Sequence, residues 1–187
     1  MSIASWPAHL LSLADWAALP VDTDRRYELV EGARIVSPRP ASLHQRVLSR
    51  LLRQLDQQLP KHWEALSEVE VVISAGGPAT VRVPDIAVIP TSLADTDRQQ
   101  FHGNDVLIAV EIVSPGSART DRVAKRAEYA EAGIEHYWIV EIDPPATLTA
   151  YHLMAGEYEQ NAHTSGLITV NTPTPVTLDI ATLIASR

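Results

Sequence analysis

The chain has 187 residues, of which 45% are hydrophobic and 20% charged, a composition typical of folded globular proteins. The absence of cysteine excludes disulfides and thiolate metal sites, and no apolar run is long enough to cross a bilayer. A net charge of −8 argues against tight nonspecific binding to DNA phosphates but leaves local basic patches open. The N-terminal segment lacks a basic region and a small-residue cleavage site, so we expect a cytoplasmic protein without a membrane partner.

The N-terminal part of the chain predicts a short helix and a hairpin. Residues 11–19 read as the helix, with Ser12 as its N-cap. Residues 26–37 contain two arms in which apolar residues alternate with others, and between the arms Glu31-Gly32 favours a tight turn. Glu28 then lies inside the first arm. Glu31 is more typical of a solvated turn residue than of a site.

A long amphipathic helix follows, from Ser42 to about Leu59, with leucine and valine recurring at spacings of three and four. His44 lies in its first turn, beside the apolar stripe. A histidine in that position is more often a boundary residue than a ligand, so His44 is a secondary candidate for the site.

The middle of the chain predicts three strands. They are residues 68–74, 81–89 and 106–113, with a polar loop over 90–104. The last of these strands is nearly unbroken in its hydrophobicity, which is typical of a strand covered on both faces.

A helix is predicted over 119–132, with Gly133 just beyond its end, and a strand over 134–142. This strand–helix–strand order indicates a crossover between parallel strands. Three further arms, beginning near residues 147, 157 and 167, predict an antiparallel meander, and 177–186 predicts a final helix. We therefore expect one α/β domain over residues 1–187: a central mixed β-sheet flanked by helices over about 20–145, and an antiparallel β extension with a short helix over about 146–187.

Two carboxylates interrupt apolar strands, Asp85 in the second strand and Glu111 in the third. A buried acid is costly unless it is paired or binds a cation. Two such acids predict a Mg²⁺ site, because Mg²⁺ takes one or two carboxylates plus water and phosphate oxygens. Lys125, on the following helix, would add a positive charge near a bound phosphate or orient the attacking water.

Plain structural explanations compete with this interpretation. Lys125 and Asp121 have the spacing of a surface ion pair worth a few tenths of a kcal/mol. Asp85 follows a proline and could be a strand-end residue bonded to backbone. Glu111 fits such explanations poorly, because its neighbours in the strand are Val, Leu, Ile and Ala.

A set of spaced motifs covers roughly residues 12–180. They are Tyr27-Glu-Leu-Val-Glu-Gly32, Pro38-x-Pro-x-x-x-His44, Pro84-Asp85, Glu111-Ile-Val-Ser-Pro115, Asp121-Arg-x-x-Lys125, Tyr129 and Gly133-x-x-x-Tyr137-Trp138. The set resembles the Uma-two family, restriction-endonuclease-like proteins of the PD-(D/E)XK nuclease superfamily.

The resemblance implies a restriction-endonuclease-like core that hydrolyses phosphodiester bonds with Mg²⁺, or alternatively Mn²⁺. Asp85 and Glu111 would be the metal-binding acids, and Glu28 and His44 match further polar positions of the pattern. The superfamily's usual lysine, two residues after the second acid, is replaced by Val113. Lys125 would supply that charge instead.

We therefore predict a metal-dependent DNA endonuclease that uses no small-molecule cofactor. The alternatives are a noncatalytic nuclease-fold module that binds DNA or a protein, and a hydrolase of another phosphate ester. Cutting both strands of a duplex favours a homodimer. Trp6, Trp16 and Phe101 fall outside the predicted core and are candidates for its interface.

Overall fold

The protein is described by a computed structural model that covers residues 9–20, 25–37 and 39–185. The helices are α1 (Leu13–Ala17), α2 (Ser42–Asp56), α3 (Thr91–Ala94), α4 (Arg126–Glu131) and α5 (Ile180–Ile184). A 3-10 turn covers Gly103–Asp105, and a π-helical segment, Thr120–Lys125, runs directly into α4. The strands are β1 (Arg26–Val30), β2 (Ala33–Ser37), β3 (Trp63–Ser67), β4 (Glu70–Ser74), β5 (Thr80–Arg82), β6 (Ile86–Pro90), β7 (Gln100–His102), β8 (Ile108–Val113), β9 (His136–Glu141), β10 (Thr147–Met154), β11 (Glu157–Thr164), β12 (Leu167–Val170) and β13 (Val176–Asp179).

The largest sheet has six strands in the order β11-β10-β9-β8-β6-β3. Strands β8 and β9 are parallel and the other neighbours antiparallel, so this is the mixed sheet that the sequence predicts. The apolar stripe of α2 packs on one face, where Leu51 and Leu55 meet Ile108 and Val110. Tyr129 of α4 packs on the other face with Ala109 and Ile139. The α/β class, with helices flanking a central mixed sheet, is confirmed.

A second sheet has the order β2-β1-β5-β4-β7. Strands β1 and β2 form the predicted hairpin, with Glu31 and Gly32 both at positive φ in its turn. Glycine adopts this conformation without strain. A Cβ on Gly32 would also lie only 2.7 Å from the Cβ of Leu10, so the turn is closely packed as well.

The prediction of one strand over residues 81–89 is wrong. The chain leaves the second sheet after Arg82 and enters the six-stranded sheet at Ile86. Pro84 has no N–H to donate, and the N–H of Val83 donates to Glu28 Oε1 at 3.1 Å instead of to a neighbouring strand. The three-residue break places Asp85 between the two sheets.

Several boundaries also differ from the sequence prediction. The predicted loop contains α3 and β7, and β3 precedes β4 where no strand was expected. The third meander arm, β12, pairs with β13 in a separate two-stranded sheet, so only β10 and β11 form the antiparallel extension of the main sheet. The predicted final helix begins as strand β13 and becomes helical only after Asp179, whose side chain accepts from the N–H of Thr182.

Both helices predicted near the N-terminus are present, with Ser12 capping α1. Trp16 is only 8% exposed and Phe101 2%, so the prediction that these two side chains are exposed is wrong. Trp6 lies outside the described residues. Within the described part of the chain, no helix has both the length and the hydrophobicity needed to cross a membrane.

Candidate active site

A cavity of about 630 Å³ opens where the two sheets meet α2 and the π-helical segment. Its walls combine β1, the turn after β8 and the helical segment that follows. All five residues that the sequence singles out line it: Glu28, His44, Asp85, Glu111 and Lys125. Each of them is at most 6% exposed, so the cavity has a charged and largely desolvated wall.

Asp85 and Glu111 come together through the pairing of β6 with β8. The antiparallel register matches Ile86 with Val110, so Asp85, which immediately precedes β6, lies near Glu111 of β8. Asp85 Oδ2 accepts a 2.7 Å hydrogen bond from the N–H of Ile112, so its carboxylate is fixed to β8. The two acids therefore face one cavity rather than opposite sides of the sheet.

The Asp85 carboxylate has three partners. Arg26 Nη1 lies 3.0 Å from Oδ1, and His44 Nε2 lies 3.2 Å from Oδ2, the oxygen that also accepts from Ile112. Burial alone would raise the pKa of Asp85, but the hydrogen bond from His44 and the charge of Arg26 outweigh it and lower the pKa to about 2. Asp85 is therefore a carboxylate across the physiological pH range.

The pKa of Glu111 is shifted in the opposite direction. Its Oε1 accepts a 2.7 Å hydrogen bond from the hydroxyl of Tyr129 and lies 2.9 Å from Lys125 Nζ. Burial raises the pKa of Glu111 to about 8; Lys125 opposes this effect, and the charges of Asp85 and Asp121 add to it. The two neighbouring carboxyls thus have pKa values on opposite sides of neutrality.

Lys125 is a buried cation shared by three carboxylates. Its Nζ lies 2.9 Å from Glu111 Oε1, 3.2 Å from Glu28 Oε1 and 3.5 Å from Asp121 Oδ1. Burial would lower the pKa of Lys125, but these three acids outweigh it and raise the pKa, so the side chain stays protonated. Asp121 is 1% exposed, and the interpretation of Asp121 and Lys125 as a surface ion pair is therefore wrong.

Glu28 links the hairpin to this cluster. Its Oε2 accepts from Arg82 Nη1 at 2.9 Å, and Arg82 also makes a two-pronged contact with Glu128 through Nε and Nη2. Burial would raise the pKa of Glu28, but Lys125 and Arg82 outweigh it and lower the pKa. Glu31 is exposed at the hairpin turn and does not line the cavity, in keeping with a solvated turn residue.

Sequence reasoning missed three arginines of the cavity wall, Arg26, Arg39 and Arg82. Arg82 is 3% exposed and interrupts an apolar strand just as Asp85 does. The argument that singled out the acids, a charge inside a Val- and Ile-rich run, applies to it equally. Arg26 has no such signal, because it follows Arg25 at the start of its strand.

The donor set fits a hard divalent cation with few protein ligands. Among the described residues of the cavity, no three histidine or carboxylate ligand atoms lie within 4.8 Å of one another, so a metal would take at most two carboxylates here. Mg²⁺ commonly binds in that way and completes its shell with water. Glu111 keeps its proton up to about pH 8, so binding of a cation beside Asp85 and Glu111 would release that proton.

Comparison with known proteins places the chain in a family. No curated protein matches it significantly. A crystal structure of a protein from Anabaena variabilis, described as a putative nuclease belonging to DUF820, superposes with a TM-score of 0.69 over 93% of this chain and 97% of that chain. At 22% sequence identity, that likeness establishes the fold alone. A family model described as "Uma2: Putative restriction endonuclease" matches residues 13–181. The chain therefore belongs to the Uma2 family.

Proposed function

We propose that this protein is a Mg²⁺-dependent endonuclease that hydrolyses phosphodiester bonds of DNA. The observation that supports the proposal most directly is the meeting of Asp85, Glu111 and the protonated Lys125 in one cavity. Membership of a family described as restriction endonucleases supports the same reaction class. The putative nuclease with the same fold is consistent with it.

Asp85 and Glu111 would hold the cation. When bound, Mg²⁺ lowers the pKa of a coordinated water and polarises the phosphodiester. Hydrolysis forms a bond from the water oxygen to phosphorus and breaks the bond from phosphorus to the leaving sugar oxygen. The proton lost by the water goes to solvent or a nearby base, and the leaving oxygen takes up a proton.

The protonation state of Lys125 limits its role. A lysine whose pKa is raised cannot accept a proton from water at neutral pH. Its ammonium group is suited instead to stabilising the negative charge that builds up on the phosphate in the transition state. The protonated Lys125 therefore suits both roles considered from the sequence, a positive charge near the phosphate and orientation of the attacking water, but not the role of the base that takes the proton of the water.

Arginines around the cavity would contact DNA phosphates despite the net charge of −8. Arg26 and Arg39 line this cavity. A neighbouring cavity of about 250 Å³ shares Arg26 and adds Arg25 and Arg34. These arginines lie among acids such as Glu68 and Glu70, and they would supply the local positive charge that an acidic nuclease needs to hold a polyanion.

The proposal is tested by plasmid cleavage with Mg²⁺ or Mn²⁺. We expect the wild-type protein to nick or linearise the plasmid and Asp85→Ala to lose cleavage by roughly a hundredfold or more. Asp56→Ala, which removes an exposed acid at the end of α2, is the matched control and should cut at the wild-type rate. Single-stranded RNA of the same length tests whether the substrate is DNA. Equal rates for wild type and Asp85→Ala would refute the proposed site.

The rival function, a noncatalytic DNA-binding module, is favoured by one contact. Arg26 Nη1 lies 3.0 Å from Asp85 Oδ1 and so occupies an oxygen that the metal would need. A module of this kind would bind DNA but neither Mg²⁺ nor Mn²⁺. Calorimetric titration with Mg²⁺ separates the two functions, because only the nuclease binds the ion in a way that Asp85→Ala abolishes.

We further propose a homodimer, with β2 at its interface in place of the buried Trp16 and Phe101. Strand β2 is at the edge of its sheet and exposes Ile35 and Val36, at 46% and 47%. An apolar edge strand is a natural pairing surface for a second copy. Light scattering should give twice the monomer mass for wild type and the monomer mass for Val36→Lys. A monomer at every wild-type concentration would contradict the proposal.

A further inference from the structure

A second group of metal-ligating side chains lies where β9 and β10 pair, away from the cavity. Glu135, His136 and His152 each offer one ligand atom, and these atoms all lie within 4.8 Å of one another. In the register of β9 and β10, His136 is opposite His152. The N–H of Leu153 donates to the carbonyl of Glu135 at 2.8 Å, so the backbone holds Glu135 beside the two histidines.

His136 is the residue that points to a ligand. It is fully buried, and neither ring nitrogen has a hydrogen-bond partner among the described residues. A buried polar group without a partner destabilises the folded state, and a ligand that satisfies it recovers part of that loss.

The distances match the spacing of ligands around a small tetrahedral ion. Glu135 Oε1 lies 3.4 Å from His136 Nε2 and 3.6 Å from His152 Nε2. With bonds of about 2.0–2.1 Å to zinc, adjacent ligand atoms of a tetrahedron are about 3.3 Å apart. Two imidazoles and one carboxylate are also a donor set that zinc accepts and that Mg²⁺ does not prefer.

Binding of one ion by both histidines requires a side-chain rotation. The rings of His136 and His152 are stacked, with centroids 4.7 Å apart and planes inclined by 13°. A metal lies in the plane of each imidazole that binds it, so two stacked rings cannot both bind one ion. His152 is 31% exposed at its side chain and can rotate toward the ion, whereas His136 is held in the interior.

We propose that Glu135, His136 and His152 bind a transition-metal divalent cation of the Zn²⁺ class, separate from the nuclease cavity. The site joins the start of β9 to the C-terminal half of β10. The bound ion would therefore link the central sheet to its antiparallel extension. Because it binds the folded chain, it would raise the melting temperature.

The test uses Zn²⁺ itself, titrated by calorimetry in excess Mg²⁺. Wild type should bind one equivalent of Zn²⁺ at this site. Glu135→Gln and His152→Gln, which alter partly exposed side chains, should each weaken binding at least about tenfold. Glu157→Gln and His62→Gln, at exposed positions, are the matched controls and should bind as wild type does.

Two further measurements distinguish Zn²⁺ binding at this site from binding in the cavity and from misfolding of the variants. Asp85→Ala should keep the Zn²⁺ equivalent, so failure of the proposed nuclease function leaves this inference standing. Zn²⁺ should raise the melting temperature of wild type but not of His152→Gln, while the two proteins melt alike in chelator. Binding by Glu135→Gln and His152→Gln at wild-type affinity, or no binding by wild type, would overturn the inference.

Discussion

Replacing Lys125 by methionine tests whether the buried ion cluster is what holds the cavity together. The substitution keeps the length of the side chain and removes its charge. Glu28, Glu111 and Asp121, each at most 4% exposed, then lose the cation that lies 2.9–3.5 Å from their oxygens. Removing one partner of a buried ion pair typically costs about 3–5 kcal/mol of folding free energy. An exposed pair with Asp121 would cost only a few tenths of a kcal/mol.

Protonation of Glu111 should moderate the loss. Its pKa is raised to about 8, so near pH 6 the carboxyl already carries a proton and does not need the cation, whereas near pH 9 it is ionised beside Lys125. We expect Lys125→Met to be less destabilised at pH 6 than at pH 9. The double variant Lys125→Met/Glu111→Gln should recover part of the loss, since the two residues are in contact.

Urea unfolding followed by circular dichroism measures these differences. The matched control is Lys61→Met, which changes the exposed lysine beside α2 and should unfold within about 0.5 kcal/mol of wild type. A loss below about 0.5 kcal/mol for Lys125→Met would refute the buried cluster. Cleavage by Lys125 variants must be assayed where they are folded, because a loss of activity otherwise reports unfolding.

Two further predictions concern the acids of the cavity. The folded state keeps the Glu111 proton up to about pH 8, whereas the unfolded state loses it near about pH 4.3. The free energy of unfolding should therefore fall as pH rises between these values, by at most about 1.4 kcal/mol per pH unit, and Glu111→Gln should remove this slope. A slope that persists in Glu111→Gln would assign it to another group. Arg26→Ala frees Asp85 Oδ1 and should tighten Mg²⁺ binding several-fold, as measured by calorimetry. Arg25→Ala, at an exposed position, is the control and should leave the Mg²⁺ affinity unchanged. Weaker Mg²⁺ binding by Arg26→Ala would contradict competition between Arg26 and the ion for that oxygen.

The sequence predicted those parts of the fold whose signal is local. Helix α2 has an apolar stripe at helical spacing, and the turn at Gly32 needs positive φ, so both are visible in a short window. The break at Pro84 was missed because hydrophobicity continues through it and only the pairing of strands reveals the change of sheet. Strand β13 alternates buried and exposed residues, but four residues are too few to distinguish this alternation from the helical pattern of the residues that follow.

The site residues that could be predicted are likewise those with a local signal in the sequence. Asp85 and Glu111 stand out because each interrupts an apolar run, and the structure brings them into one cavity. Burial of Asp121 and Lys125 could not be predicted, since their spacing is identical on an exposed and on a buried helix face. The Lys125 contact to Glu28 joins residues 97 positions apart, and no local pattern encodes it. Roles for these residues in metal binding and catalysis remain predictions.

The break between Arg82 and Ile86 has a mechanical consequence. Arg26 and Glu28 belong to the smaller sheet, whereas Glu111 and Lys125 belong to the larger sheet and its helix, and Asp85 lies on the segment between the sheets. Any separation of the sheets would stretch the contacts of Arg26 with Asp85 and of Glu28 with Lys125 at the same time. The residues of the cavity therefore connect two halves of the molecule. If the smaller sheet separates from the larger one, Glu111 and Lys125 stay in place but lose their contacts with the smaller sheet. The site would then be lost before the rest of the chain unfolds.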